Sequence, residues 1–478
     1  MSENVLILVL GDAGRSPRMQ YHALSLLQSG SACDSVCLMG YPGSPLISAL
    51  DDPKFTFLPI PQHPQHPIFT SIKPLKALFQ LFALLTVLLF RRPRPDVLLL
   101  QLPPAIPTML CVLLVCWVRR IRLVFDWHNF GWTLMPAGPL QSVARWYEKI
   151  LAPCADANLC VTKSMQTVLR DEYRGTRASV FYDRPKSDVF NGRTGVHEGV
   201  ALLNKLMEVE KGEAKVADWE RVIALLEGMI ARMQGTSRSK ETAPSTREEV
   251  SPGCKITARR TAASMTTRTR RRTNVTRSNR TNRADENADF PVMIVSSTSW
   301  TWDEDFSILL EGMVAYDAHA VSDASLPPIL LYVTGKGPLK QFYIDKISKL
   351  DLLRVAIRTV WLEPGDYPKL LGCADLGVSL HASSSGVDLP MKIVDMFGAQ
   401  TPVAALSYPC LADEMVADGK NGVLFGTGAE LCDKLMALLR GGGKELERMQ
   451  RYVQEHGYGN WDDEWNRKAK KQILMYAN

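Results

Sequence analysis

The 478-residue sequence contains no C-x-x-C, no complete G-x-G-x-x-G and no uninterrupted apolar run long enough to cross a membrane. Its ten cysteines are scattered without a framework, so they read as reduced, mostly buried thiols. Without the complete glycine fingerprint a nicotinamide-type oxidoreductase is disfavoured. The opening MSENVLILVLGDAG lacks a basic n-region, and its apolar run Val5–Leu10 has only six residues, too few for a secretory signal. It reads as a first strand, with the body of the protein facing the cytosol.

A general basic charge is missing as well. Lys and Arg total 56 against 50 Asp and Glu, but residues 251–283 hold ten basic side chains and no acid, leaving 46 against 50 elsewhere. The excess is local, so it gives the folded parts no preference for nucleic acid. That basic segment has no Phe, Tyr or Trp on which bases would stack, which favours a solvated insert.

What is present is an ordinary globular composition, 46% apolar and 22% charged, in a chain long enough for several domains. Short apolar runs at 5–10, 36–39, 97–101, 123–125 and 157–161 alternate with helical spacing, and the pattern restarts at 292–295, 329–333, 355–361, 376–380 and 403–405. Such alternation predicts α/β layers with parallel sheets. The expected domains are 1–190 and 289–455, joined by a helical connection at 191–234 and a disordered basic insert at 235–288, with a last helix at 456–478. Residues 235–288 are rich in Ser, Thr, Arg and Asn, with too little apolar surface to offset the entropy of ordering.

Two segments bear on membranes. Ala77–Phe90 has 14 residues; as a helix it reaches about 21 Å, short of the ~30 Å hydrocarbon core. Pro103, Pro104 and Pro107 break the second, 97–118, into a strand, a turn and a short helix. Arginines follow both, as expected where an apolar face dips into a bilayer and cations meet lipid phosphates. Two ordinary core helices would read the same way.

The motifs with chemical content sit at strand ends. Gly11-Asp12-Ala13-Gly14 joins the first strand to a helix, where free N–H groups with Arg15 and Arg18 suit a pyrophosphate. Phe125-Asp126-Trp127-His128-Asn129-Phe130-Gly131-Trp132 sets titratable groups among four rings suited to stacking on sugar, and His128 suits a general base. Ser296, Ser297 and Thr298 offer phosphate donors, and Gly335, Lys336 and Gly337 offer a second phosphate or ribose contact. Asp303 and Asp305 formally make a D-x-D metal pair, but a capping box of Thr301 with Glu304 explains the acids as helix initiation. The longest string runs from His381 through Ser383, Ser384, Ser385 and Asp388 to Lys392 and Asp395. Its hydroxyls, acids and lysine suit ribose and diphosphate.

Together, GDAGRSPRMQYHALSL, FDWHNFGW, FYDRP, VSSTSWTWDEDFSILLEGM, VTGKGPLKQFY and SLHASSSGVDLPMKIVDMFG resemble the chitobiosyldiphosphodolichol beta-mannosyltransferases of the endoplasmic reticulum. The resemblance covers about 1–190 and 290–470. It implies a GT-B fold, two Rossmann-like domains facing a central cleft. It also implies transfer of mannose from GDP-mannose to dolichyl-diphosphate-chitobiose, the first mannosylation of the lipid-linked precursor for N-glycosylation. The implied place is the cytosolic face of the endoplasmic reticulum membrane, beside other lipid-linked oligosaccharide glycosyltransferases. Where many relatives carry E-x7-E, Asp395 fits the second acid, but Val387 stands at the first position and Asp388 one residue late. No metal or cofactor is implied.

The second domain is therefore expected to bind donor through Ser296–Thr298, Gly335–Gly337 and the His381–Asp395 string. The first is expected to bind acceptor through Gly11, Gly14, Arg15 and Arg18. The expected reaction is an inverting beta-1,4 transfer with His128 as base, Asp126 and Asp12 behind it. The rival reading is a catalytically inactive GT-B paralogue that binds lipid or partners.

Overall fold

The computed structural model describes residues 2–61, 73–91, 93–190, 192–212, 219–241 and 290–474. Its first parallel sheet comprises β1 (Glu3–Asp12), β2 (Cys33–Tyr41), β3 (Phe55–Pro59), β4 (Val97–Leu102), β5 (Arg122–Trp127), β6 (Ala157–Cys160) and β7 (Ser179–Val180), in the order β3-β2-β1-β4-β5-β6-β7. The second holds β8 (Val292–Ser297), β9 (Ile329–Thr334), β10 (Val355–Val360), β11 (Leu376–Ser379), β12 (Val403–Leu406) and β13 (Gly422–Phe425), ordered β10-β9-β8-β11-β12-β13. These are the expected two Rossmann-like domains. The unanticipated strands β3, β7 and β13 lie at or next to sheet edges, where short or mixed sequences such as FTFLP and SV carry little periodic signal.

Each sheet starts at its centre. β1 pairs with both β2 and β4, and β8 with both β9 and β11, so the strand order reverses beside each first strand. Ligands of open α/β sheets bind outside the carboxyl ends of the strands at that reversal. Central strands are covered on both faces, which is why β4 reads Val-Leu-Leu-Leu with Leu98, Leu99 and Leu100 fully buried.

The chain between the sheets is not a free connection. Helices Val196–Gly212 and Trp219–Glu241 pack Leu202, Leu206, Val222, Leu226 and Met229 into one core with Met293, Val295 and Leu330. They form a layer of the second domain, because their apolar faces need a sheet to cover them. The second of them runs past the expected boundary at 234 to Glu241, and the rest of the expected insert, 242–288, lies outside the described residues.

The end of the chain returns to the first domain. Beyond Lys444–His456 come short helical turns from Trp461 to Ile473, and Trp461, Trp465 and Ile473 share a core with Ile7, Leu26 and Phe181. Trp461 is fully buried, donates its indole N–H to Ser25 Oγ at 2.9 Å and meets Tyr21 and Phe181 edge-on.

Helices Lys73–Phe90 and Thr108–Arg119 form where the apolar spacing predicts. Each combines the two readings of the sequence. Leu84 and Leu88 are buried in a core with Cys111, Val112 and Val115, whereas Phe82, Phe90 and Trp117 point to solvent. Among the described residues, no helix is long and apolar enough to cross a membrane.

The returning tail makes the first domain depend on residues distant in sequence. Trp461→Ala is expected to lower the unfolding free energy by about 3–5 kcal/mol, the usual cost of truncating a buried Trp. Urea titration followed by circular dichroism measures it; a loss below about 1 kcal/mol would mean that the tail is peripheral to that core.

Candidate active site

The cleft lies between the carboxyl ends of the two sheets. A cavity of about 330 Å³ is lined by Arg15, Arg18, Gln101, His128, Asn129 and Asp183 on one side and by His381, Asp388, Met391 and Lys392 on the other. It therefore unites Arg15, Arg18, His128, His381, Asp388 and Lys392 from the sequence-derived set. Gln101, Asn129 and Asp183 were not anticipated, although Asp183 lies within the FYDRP string.

Asp12 is not placed as a base. Its carboxylate accepts from Gly14 N at 3.0 Å, Ser44 N at 3.0 and 2.9 Å and Ser44 Oγ at 2.9 Å, fastening the glycine turn to the next loop. Burial would raise its pKa, but the Ser44 and Gly14 donors lower it. A Cβ on Gly14 would lie 2.2 Å from the Ser44 carbonyl oxygen, so this glycine permits a close approach rather than opening an anion nest. Arg15 stays exposed at the cleft mouth.

Arg18 and Asp126 are committed to each other. The Arg18 guanidinium grips Asp126 with two bonds of 2.8 Å, donates to Asp183 at 2.8 Å and lies 4.4 Å above the Phe181 ring. Both side chains are almost fully buried. Burial would raise the Asp126 pKa, but Arg18 and His128 hold it well below the carboxylate range. Asp126 is thus a poor proton acceptor, and two carboxylates already offset the Arg18 charge that was assigned to a diphosphate. His22 Nε2 and His128 Nε2 approach Asp126 Oδ2 at 3.3 and 3.2 Å. His128 is the member of this cluster that was read as a base and that lines the cavity.

The aromatic string is mostly core. Phe125, Trp127 and Phe130 are buried, with Trp127 Nε1 bonded to Asn158 Oδ1 at 2.9 Å and Phe130 stacked on Tyr173 at 5.0 Å. The rings fix the loop instead of forming the expected sugar wall. Trp132 donates to the Tyr173 hydroxyl at 2.9 Å, and beneath it the buried Glu148 accepts from the backbone of Gly131 and Trp132.

On the donor side, the Ser297 and Thr298 hydroxyls are taken up by neighbouring protein side chains. Ser296 is buried; Ser297 Oγ lies 3.0 Å from the Tyr367 hydroxyl, and Thr298 Oγ1 donates to Glu304 Oε2 at 2.6 Å. Glu304 also accepts from Ser299 N at 2.8 Å and pairs with Lys392. The capping-box reading is therefore corrected: Asp305 caps helix Phe306–Ser322, while Glu304 turns inward to the charge that needs it. Lys392 was placed between Asp388 and Asp395, yet its ion-pair partner is Glu304, which sequence spacing gave no means of finding.

Gly335 and Gly337 pack the neighbouring turn against that loop. A Cβ on either would come 1.8 Å from the carbonyl oxygen of Thr298 or Ser299, and Gly335 has φ +124. Lys336 lies 3.7 Å over the Trp361 ring. These residues shape the loop and do not line the cavity.

The His381–Asp395 string forms the other wall. Asp388 lies 3.1 Å from His381 Nε2 and accepts from Ser383 and from Ser385 Oγ at 3.2 Å, which organises the serine loop. Ser384 crosses the cleft to Asn129 and Thr133, both at 3.2 Å. Asp395 lies behind the wall against the Tyr367 hydroxyl at 3.3 Å. A further seam was missed: Glu414 accepts from Lys163 N at 2.8 Å, Ser164 N at 2.7 Å and the Tyr182 hydroxyl at 2.7 Å, joining the two domains.

Comparison with known proteins gives this geometry its family. A glycosyl transferase 4-like domain matches residues 17–181. A chitobiosyldiphosphodolichol beta-mannosyltransferase of Mus musculus is 35% identical over 97% of this chain and 88% of its own. The chain belongs to the chitobiosyldiphosphodolichol beta-mannosyltransferase family. A Dictyostelium discoideum member is 36% identical over 88% of this chain and 81% of its own. The UDP-glycosyltransferase TURAN of Arabidopsis thaliana is 38% identical over 99% and 97%. Among solved structures, Anabaena Alr3699/HepE in complex with UDP-glucose aligns with a TM-score of 0.56 at 13% identity, covering 98% of this chain and 99% of that one. The fold is GT-B, and this family member is a glycosyltransferase enzyme.

Two acids near the cleft of this mannosyltransferase-family chain titrate late. Burial pushes Glu148 up to about 7 against its backbone and Tyr173 donors. Burial, reinforced by Asp183, pushes Asp395 up to about 7 against the Tyr367 hydroxyl and Lys392. An acid whose pKa is raised on folding binds more protons in the native state. Its stabilisation is complete below the ordinary values of 4.5 and 3.8 and is lost as pH rises through about 7. Unfolding free energy should therefore decline from about pH 5 to about pH 8, and Glu148→Gln should flatten the decline. An unchanged slope in denaturant titrations of that variant would place Glu148 ionised in the native protein.

Proposed function

We propose that this enzyme transfers mannose from GDP-mannose to dolichyl-diphosphate-chitobiose, in a beta-1,4 linkage with inversion, at the cytosolic face of the endoplasmic reticulum membrane. The observation that carries the reading is the cleft of a family member in which His128 and Arg15 face Lys392 across one cavity. The acceptor hydroxyl oxygen bonds to C1 of mannose, the bond from C1 to the phosphate oxygen breaks, and GDP departs with that electron pair. His128 takes the hydroxyl proton, its ring held by Asp126. Lys392 supplies positive charge for the leaving diphosphate, Met391, at the start of helix Met391–Gly398, brings backbone N–H groups to the same wall, and Arg15 on the opposite wall is left for the acceptor diphosphate. Glu304 keeps the lysine ammonium oriented.

Turnover of GDP-mannose with a lipid-diphosphate-chitobiose acceptor tests the proposal. His128→Gln should lower kcat by about 100-fold or more. Lys392→Ala should weaken GDP binding by about tenfold or more, the loss of one charge-assisted contact. The name of the Arabidopsis relative refers to UDP, so UDP-sugars form the second arm of the assay. Turnover with UDP-sugars alone would overturn the donor, and none with any donor would leave the inactive-paralogue reading.

The membrane part of the proposal rests on an apolar surface of three neighbouring helices. Phe90 and Trp117 are 77% and 80% exposed, and helix Pro139–Leu151 adds a stripe of Leu140, Val143 and Trp146. Arg94 and Arg120 are exposed beside it. Aromatic and aliphatic side chains rimmed by cations suit an anionic bilayer surface. Trp117→Glu with Trp146→Glu should abolish co-sedimentation with anionic liposomes, since each carboxylate would have to enter the apolar boundary. Full retention would place the contact elsewhere.

A further inference from the structure

The tail that returns from the second domain reaches the His128 cluster through the core. Trp465 is buried, and its indole Nε1–H donates to His22 Nδ1 at 3.0 Å. An indole N–H is a donor only, so Nδ1 of His22 must present its lone pair. His22 is fully buried, and with Nδ1 accepting from Trp465 its one proton is left for Nε2; burial, which lowers its pKa despite Asp126, acts in the same direction. That nitrogen makes no regular hydrogen bond among the described residues, and it faces Asp126 Oδ2 at 3.3 Å. The same oxygen meets Arg18 Nε at 2.8 Å and His128 Nε2 at 3.2 Å. Trp461 and Phe181 hold the His22 ring edge-on and tilted at 5.2 and 5.4 Å, leaving it little freedom to turn.

We propose that Trp465 is a positioning residue for the reaction: it fixes the tautomer of His22, which presents an N–H to Asp126, which in turn holds His128 by Nε2 and leaves Nδ1 to accept a proton. The inference rests on the reading of His128 as base. With the other tautomer, a lone pair on His22 Nε2 would face Oδ2. Two acceptors would then oppose each other in a fully buried site, and the carboxylate would shift away from Arg18 or His128.

The test is Trp465→Phe, which keeps a ring in the core and removes the N–H. NMR of full-length protein carrying 15N-labelled histidine reads the protonation of each ring nitrogen directly. In the unmutated protein His22 should show a bare Nδ1 and a protonated Nε2; in the variant the proton should redistribute toward Nδ1. In the assay above kcat should fall about tenfold, part of the ~10²–10⁴ that a positioned base contributes, while KM for the donor changes less than about twofold. Trp461→Phe removes an equally buried indole N–H that serves Ser25, and should leave the His22 proton on Nε2. A His22 proton on Nδ1 in the unmutated protein overturns the inference, as does a Trp465→Phe variant with unchanged ring signals or unchanged kcat. Undiminished turnover by His128→Gln would instead defeat the base reading, whichever tautomer His22 adopts.

Discussion

Arg18 and Asp126 form the contact on which the cleft is built. Two charges taken out of water are tolerated only when each is matched, and removing one partner strands the other at a cost of several kcal/mol. Here the match is tight: two bonds of 2.8 Å join them, a third goes from Arg18 to Asp183, and Phe181 covers the guanidinium face. Arg18 belongs to the first turn of the helix after β1, Asp126 lies in β5, and Asp183 follows β7. One ion cluster therefore ties together strands that are separated across the sheet, at the edge where a ligand would enter. His128 inherits its position from this cluster, two residues beyond Asp126 and bonded back to it.

A second constraint is that the two domains are closed onto each other along more than one seam. The Glu414 carboxylate sits at the start of helix Lys163–Glu172 and takes two of its free N–H groups, an arrangement the helix dipole favours. The same carboxylate holds the Tyr182 hydroxyl, next to Asp183. On the other side, Arg184 donates to the Tyr458 carbonyl at 3.0 Å, and Lys186 anchors the returning tail through Asp462. The wall positions of Asp183 and Lys392 are thus properties of both domains at once.

The sheets were legible because buried parallel strands must be apolar along their length. The runs at 97–101, 329–333 and 355–361 correspond to β4, β9 and β10. The edge strand β13 was missed because four residues, Gly-Val-Leu-Phe, give no period to detect. The connection at 191–234 reads as helical from its apolar spacing, but a stripe of leucines does not say which sheet covers it. The acids showed the same limit. Glu304 looked like a helix cap because it precedes an apolar helix, and only the fold reveals that Lys392, far along the chain, stands opposite it.

The sequence by itself determined two α/β domains, the strand-end loops that face the cleft, and His128 and Lys392 as candidates for chemistry. Periodicity and turn composition are local properties, and a reader of the chain has them in full. Tertiary structure decided which of those groups are free. Asp12, Asp126 and Arg18 look like a base and a phosphate binder in the sequence, yet each is consumed by partners between 32 and 165 residues away. It also decided that Trp465 touches His22 across 443 residues. Charge compensation and tautomer choice depend on what lies within about 3 Å in a dry interior, and sequence separation carries no information about that distance.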